Sequence, residues 1–155
     1  MTINIYTDGA YRSSSEIGSW AFAIYNDDEL TSSHSQALEE VTNQQAEMLA
    51  VIHSLKHLED KETPAEDVYL HSDSAYVVNC IEKEWWKKWV ENDWKTSKGK
   101  DVKNKELWEE LLYYAILHKV TFVKVRGHSD NELNNLADKL VNEALDDYER
   151  RNGIG

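Results

Sequence analysis

Four carboxylates that lie far apart in the chain are the residues best suited to chemistry: Asp8, Glu47, Asp73 and Asp138. Hydrophobic patterns place Asp8 and Asp73 at the ends of two strands, Glu47 near the start of one helix and Asp138 on the last helix. Carboxylates gathered at one point repel one another and resist ionising together, so such a group calls for cations. With two divalent metal ions, a group of this kind could break or move phosphodiester bonds.

Each acid, taken alone, also has an ordinary structural explanation. Asp8 could be a turn residue, and Asp73 could cap the helix that follows it. Glu47 could be a first-turn acid that favours the helix dipole, and Asp138 could lie on a solvated face. Four such explanations meeting at one sheet edge are less plausible than one shared site. Oxygen-only ligation, without a Cys or His ligand pattern, indicates Mg²⁺ or Mn²⁺ rather than zinc.

The elements that must position these acids follow from hydrophobic periodicity. Alternating patterns predict strands at 3–8, 20–24, 30–37, 67–71 and 120–125. Patterns with helical spacing predict a helix after a capping box at 42–45, helices from 74 and from 107 to 116, and a last helix after a second capping box at 129–132. This order predicts an α/β domain with a mixed sheet.

The order of elements also predicts where the acids meet. If the strand ending at Asp73 pairs parallel to the first strand through a right-handed crossover, Asp8 and Asp73 emerge at adjacent carboxyl ends. Glu47, near the start of the crossover helix, can reach the same edge. Asn134 and Asp138 share one side of the last helix beside its apolar stripe, and we expect neither to point fully inward.

The chain is acidic overall, but its charged residues are unevenly distributed along the sequence. The chain has 17 basic and 29 acidic residues and a net charge of −12. Residues 83–105 hold eight lysines and four acids, a local charge of +4, which leaves −16 for the rest. A basic segment on an acidic body is typical of a nucleic-acid contact, although a solvated lysine-rich loop would look the same.

Length and composition favour one compact domain. The 155 residues include eight Tyr and six Trp, enough for a sizeable core. No apolar run approaches the roughly 20 residues that span a bilayer, and the polar start does not resemble a signal peptide, so we expect a cytoplasmic protein. Cys80 is the single cysteine, and its apolar neighbours indicate a core position.

Five motifs, in order along nearly the whole chain, resemble those of type 1 ribonuclease H. They are Tyr6-Thr7-Asp8-Gly9-Ala10, Thr42-Asn43-Gln44-Gln45-Ala46-Glu47, His71-Ser72-Asp73-Ser74-Ala75-Tyr76-Val77-Val78, Trp94-Lys95-Thr96-Ser97 and Val125-Arg126-Gly127-His128. The resemblance implies a ribonuclease H-like fold, with a five-stranded mixed sheet of three antiparallel and then two parallel strands flanked by helices. It implies a single domain over 1–155, with a basic handle at about 83–105 and a tail at about 149–155.

The same resemblance implies the activity. Members of the family hydrolyse the RNA strand of RNA/DNA hybrids, giving 3′-hydroxyl and 5′-phosphate ends. Asp8, Glu47, Asp73 and Asp138 would hold two Mg²⁺ ions, which Mn²⁺ could replace, with Asp8 contacting both. His128 matches a catalytic histidine that assists proton movement or product release, a role suited to its titration near neutral pH. The expected partner is the hybrid, and the expected state is a monomer.

Further matches imply a binding surface for the hybrid. Asn43 and Gln44 match positions that contact the minor groove, and Thr42 and Asn104 match a pocket for a DNA phosphate. Trp85, Trp89 and Ser97 match the channel for the DNA strand, whereas Trp86 and Trp94 are expected to be packing residues. Helix capping and helix-end polarity are the ordinary alternatives for Thr42, Asn43 and Gln44.

The chain departs from the family pattern at several places. Tyr11-Arg12-Ser13-Ser14-Ser15-Glu16 replaces a glycine- and proline-rich turn and is closer to a retroviral pattern, and Ala75 replaces a groove-contacting Gln. Glu40 stands where some members have a phosphate-binding Arg, and acids at 91 and 93 dilute the handle. We therefore predict weaker or more salt-sensitive hybrid binding. A non-catalytic hybrid-binding module and a nuclease domain cut from a reverse transcriptase remain alternatives.

Overall fold

The computed structural model describes residues 2–59, 67–125 and 132–153. The strands are β1 (Thr2–Arg12), β2 (Ile17–Asn26), β3 (Glu29–Glu39), β4 (Asp67–Ser72) and β5 (Thr121–Lys124). The helices are α1 (Asn43–Glu59), α2 (Ala75–Glu82), α3 (Trp85–Glu91), α4 (Lys105–Leu117) and α5 (Glu132–Arg151). None of the helices in these ranges is long and apolar enough to cross a membrane.

The five strands form one mixed sheet in the order β3-β2-β1-β4-β5. The β1–β2 and β2–β3 pairs are antiparallel, whereas β1–β4 and β4–β5 are parallel. The predicted fold class is therefore confirmed. In the parallel β1–β4 pair, Tyr6 lies opposite His71, so continuing the register sets Asp8 beside Asp73.

Helices cover both faces of the sheet, because alternate strand residues point to opposite sides. On one face, Ile5, Ile24 and Leu70 pack with side chains of α1, α2 and α4 in the main core. On the other face, Tyr6 and Ala23 belong to a smaller cluster that also contains Ala137 of α5. The strands that carry the predicted site are thus held from both sides.

Helix starts and faces agree with most of the predictions. The capping box at the start of α1 is present, since Thr42 N–H donates to Gln45 Oε1 at 2.9 Å and Gln45 N–H donates to Thr42 Oγ1 at 3.1 Å. The second predicted box, at 129–132, falls largely outside the described residues. Ile116 was assigned to the amphipathic pattern of α4 but is 62% exposed, because the buried stripe of that helix runs through Trp108, Leu111 and Ala115 instead.

Candidate active site

The four predicted carboxylates line one open groove of about 600 Å³. Asp8 lies inside β1, which continues past it to Arg12 rather than ending there as the sequence pattern predicted. Glu47 lies on α1, Asp73 directly follows β4, and Asp138 lies on α5. The groove is lined by Asp8, Gly9, Ala10, Tyr11, Asn43, Gln44, Glu47, Asp73, Ser74, Ala75, Tyr76, Asp138 and Asn142.

Three of these acids form a tight cluster at the sheet edge. Asp8, Glu47 and Asp73 each place a carboxylate oxygen so that all three oxygens lie within 4.8 Å of one another. Asp138 is outside this set, but it lines the same groove and its charge helps to raise the pKa of Asp8. Sequence positions up to 65 residues apart are therefore brought together by the β1–β4 pairing and the start of α1.

Gly9 makes the close approach of β1 and α1 possible. A Cβ atom at this position would lie 2.4 Å from the backbone nitrogen of Glu47 and 2.7 Å from the carbonyl carbon of Ala46. The Gly9 N–H instead donates to Glu47 Oε1 at 2.7 Å and to Asp8 Oδ1 at 2.9 Å. Gly9 is therefore not a turn residue after Asp8 but a contact point that fixes two carboxylates of the cluster.

Burial and mutual repulsion shift the acidity of the cluster. Burial, followed by the charges of Asp73 and Asp138, raises the pKa of Asp8 to about 7. Burial and the charges of Asp8 and Asp73 also raise the pKa of Glu47 well above its ordinary value, although the hydrogen bond from Gly9 opposes this shift. Ionisation of these carboxylates in the folded protein costs free energy, and a bound cation would reduce that cost.

The ordinary explanations for the individual acids do not describe their positions. Ser74 rather than Asp73 caps α2, since Ser74 Oγ accepts a hydrogen bond from the backbone N–H of Val77 at 3.2 Å. Glu47 lies beyond the first turn of α1 and is 6% exposed, so it is not a solvated helix-end acid. Asp138 is half-buried rather than on a fully solvated face.

Asn134 contradicts the expectation that it would not point fully inward, because it is only 5% exposed. The buried stripe of α5 runs through Asn134, Ala137, Val141 and Leu145, so this asparagine shares the apolar face instead of flanking it. Its Oδ1 atom is buried and has no hydrogen-bond partner in the described part of the chain. The helical periodicity predicted the position of the apolar stripe correctly. It did not indicate that Asn134 belongs to the stripe, because asparagine is polar.

The cluster has the properties of a site for a divalent cation. Its donor atoms are all carboxylate oxygens, which suit hard ions such as Mg²⁺ or Mn²⁺. Glu47 Oε2 is buried and has no hydrogen-bond partner among residues 2–59, 67–125 and 132–153. A buried carboxylate oxygen is costly when left without a partner, and a metal ion beside Asp8 and Asp73 would satisfy it.

The residues predicted to bind the hybrid occupy two regions beside the cluster. Asn43 and Gln44 line the groove itself. Thr42 and Asn104 lie close together, since both hydrogen-bond to Gln45. His128 lies outside the described residues, so its prediction stays a prediction.

The handle region contains the remaining predicted binding residues. Trp85 is 37% exposed, and Lys83 Nζ lies 5.7 Å from the centre of its ring. Trp89 is half-buried, with its ring 6.0 Å from that of Trp94 and 5.7 Å from that of Trp108, so it packs in the same way as the predicted packing residues. Ser97 is exposed in the turn that follows.

Several groove residues were not among the predicted site residues. Tyr76 lines the groove from the start of α2, three residues after Asp73, a short separation that could have indicated its position. Tyr11 and Asn142 also line it, from β1 and α5 respectively. Asn142 follows Asp138 by one turn and donates to its carbonyl oxygen at 2.9 Å. Short sequence separation from a predicted site residue was therefore the missed signal.

The chain is similar to known proteins over most of its length. The sequence profile of the family described as RNase H matches residues 1–146. A protein named Ribonuclease H from Acetivibrio thermocellus is 44% identical over 144 residues, which cover 92% of this chain and 94% of that relative.

Two solved structures share the fold. LC9-RNase H1, a type 1 RNase H with the type 2 active-site motif, superposes with a TM-score of 0.78 at 23% identity, covering 92% of this chain and 71% of that one. LC11-RNase H1, solved in complex with RNA/DNA hybrid, superposes with a TM-score of 0.72 at 24% identity, covering 94% of this chain and 98% of that one.

Proposed function

Because this chain belongs to the ribonuclease H family, we propose that it is an endoribonuclease that hydrolyses the RNA strand of RNA/DNA hybrids with two divalent metal ions. One observation carries the proposal. Three carboxylates with oxygens within 4.8 Å of one another lie in a groove that is open along the sheet edge. The solved complex of a related fold with RNA/DNA hybrid supports the choice of substrate.

Asp8, Glu47, Asp73 and Asp138 would hold two Mg²⁺ ions, which Mn²⁺ could replace. When bound, such ions supply an activated water and stabilise the attacking and leaving oxygens, which gives 3′-hydroxyl and 5′-phosphate products. The Gly9 N–H holds one oxygen of Glu47, which leaves the buried Oε2 atom for metal ligation. We assign to His128 the movement of a proton near the reacting phosphate.

Substrate binding would use both regions beside the cluster. Asn43 and Gln44, in the groove, would contact the minor groove of the hybrid, where 2′-hydroxyls distinguish RNA from DNA. Thr42 and Asn104 would bind a DNA phosphate. In the handle, the DNA strand would contact Trp85, Trp89 and Ser97. Of these, Trp85 offers the exposed indole, whereas Trp89 could contribute only the edge left free by its packing.

The proposal extends to the organisation of the protein. Residues 1–155 would act as one catalytic domain, with a handle at about 83–105 and a tail at about 149–155. We propose a monomer that works in the cytoplasm. The intact set of four acids argues against the non-catalytic binding module, because loss of any one would be the simplest sign of lost catalysis.

The test offers one labelled strand in four forms: RNA/DNA hybrid, duplex RNA, duplex DNA and single strand, each with Mg²⁺ or Mn²⁺. We expect cleavage of the RNA in the hybrid alone, and loss of cleavage in Asp8→Asn. Asp28→Asn, an exposed acid in the β2–β3 turn, is the matched control and should keep full activity. Cleavage of duplex DNA, or wild-type activity in Asp8→Asn, would refute the proposal.

A further inference from the structure

We propose that Gln45 is a positioning residue that orients the amide of Asn104, so that the Thr42–Asn104 pocket presents only hydrogen-bond donors to a DNA phosphate. This inference rests on the proposed function. It concerns a side chain that reaches neither the carboxylate cluster nor the open groove. Gln45 connects the start of α1 with the start of α4.

The orientation of Gln45 is fixed by a backbone donor. The Thr42 N–H can only donate, and it donates to Gln45 Oε1 at 2.9 Å. The Gln45 Nε2 group must therefore face the other way, where it donates to Asn104 Oδ1 at 3.1 Å. An amide whose oxygen accepts this bond turns its own NH₂ group in the opposite direction.

The far end of this chain of amides lies at the hydroxyl group of Tyr76. The Trp108 Nε1–H donates to the hydroxyl oxygen of Tyr76 at 2.8 Å, and Asn104 Nδ2 donates to the same oxygen at 3.4 Å. Trp108 is fully buried, so this end of the network is rigid. The Tyr76 hydroxyl can donate as well as accept, so the orientation of Asn104 is decided at Gln45, whose Nε2 group donates to Asn104 Oδ1 and leaves the Asn104 NH₂ group directed away from it.

The remaining hydrogens match an anion. Thr42 Oγ1 accepts from the backbone N–H of Gln45 at 3.1 Å, which leaves the hydroxyl proton to donate. Asn104 precedes α4 with a φ of 62°, and its NH₂ group carries two hydrogens, of which the bond to Tyr76 uses one and leaves one for another acceptor. A phosphate oxygen only accepts hydrogen bonds, and a reversed Asn104 would face it with a carbonyl oxygen.

Two substitutions separate orientation from packing. Q45E keeps the acceptor for the Thr42 N–H but has no donor for Asn104, so the Asn104 amide must reverse. Q45M removes both hydrogen bonds at similar volume and leaves the amide unconstrained. We expect Q45E to raise the KM for hybrid about tenfold and Q45M about threefold, each with a kcat within about twofold of wild type. Q36E, on exposed β3, adds the same charge as a control and should leave the KM unchanged.

The readout that identifies the pocket is a scan of the DNA strand with single methylphosphonates, which remove one phosphate charge at a time. In the wild type, we expect one position to raise the KM about tenfold. In Q45E, the methylphosphonate at that position should raise the KM less than about twofold beyond the effect of the substitution itself. The methylphosphonates at other positions should keep their wild-type effects. Thermal unfolding of each variant monitors the fold, and Q45M decides the result if Q45E does not fold.

An unchanged scan in both variants, or a KM rise spread evenly over all phosphates, would overturn the role of Gln45. A lower kcat at unchanged KM would overturn it as well. These outcomes leave hybrid cleavage by the wild type intact. Absence of that cleavage would instead refute the proposed function, so the two failures are distinguishable.

Discussion

Replacing Asp8 with asparagine should stabilise the metal-free protein while it abolishes cleavage. Asp8 is 7% exposed and faces Glu47, Asp73 and Asp138 in the same groove. Ionising it in the folded state costs free energy because it loses solvation and gains negative neighbours. Asparagine has a similar shape and no charge, so the folded state no longer bears this cost.

The magnitude follows from the pKa of Asp8, which rises from 3.8 to about 7 on folding. Because the folded carboxyl binds its proton more tightly, the metal-free wild type loses stability as the pH rises from about 4 to about 7. At about 1.4 kcal/mol per pH unit, the full shift corresponds to at most about 4.5 kcal/mol. Glu47 also has a raised pKa and can carry the proton instead, so we expect a gain of about 2 to 4 kcal/mol in Asp8→Asn near pH 7.5.

Urea unfolding with a chelator, at about pH 4.5 and about pH 7.5, measures this gain. The difference between Asp8→Asn and wild type should be small at the lower pH and large at the higher one. Added Mg²⁺ should stabilise the wild type and have little effect on the variant. Asp28→Asn controls for loss of a negative charge elsewhere. Equal stability of wild type and Asp8→Asn in chelator at the higher pH would refute the electrostatic reasoning.

Further outcomes are expected for two glycines, two acids of the handle and the single cysteine. Gly9→Ala should destabilise the fold by about 1–3 kcal/mol or more and abolish cleavage, because its Cβ would lie 2.4 Å from a backbone nitrogen. Gly99→Ala, with open space around it but a φ of 78°, should cost only about 1–2 kcal/mol and keep activity, as urea unfolding and hybrid cleavage would show. Charge reversal with Glu91→Lys and Asp93→Lys should tighten hybrid binding at low salt and steepen its salt dependence, and unchanged affinity in a salt titration would contradict this. Burial raises the pKa of Cys80 to about 12, so a thiol reagent at neutral pH should label unfolded but not native protein.

Hydrophobic periodicity predicted the elements of the site because their large apolar side chains lie mainly on one face, even in β2, where both faces are buried. Alternation in β2 and spacing in α5 were enough to order the strands and helices, and the parallel β1–β4 pair then set Asp8 beside Asp73. The capping residue Thr42 was also visible in the sequence, because a cap is a contact between near neighbours, whereas the cap of α2 is Ser74 and not Asp73.

Features that depend on contacts between distant elements could not be predicted in the same way. The need for Gly9 arises from the backbone of Glu47, which lies 38 residues away. The packing of Trp89 depends on where α3 meets Trp108 of α4. The burial of Asn134 follows from the packing of α5 against β1, β2 and β3, and the polar residue type does not reveal it.

The topology of the sheet also determines when the cluster can form during folding. The β1–β2–β3 meander closes through short turns, whereas β1 reaches β4 only after α1 has crossed the sheet, in a pairing that joins Thr2 to Asp67. Contacts of such high sequence separation form slowly, so we expect Asp73 to join Asp8 late in refolding. A divalent ion that needs both acids would then bind only the finished fold, and it should slow the unfolding rate and leave the refolding rate nearly unchanged.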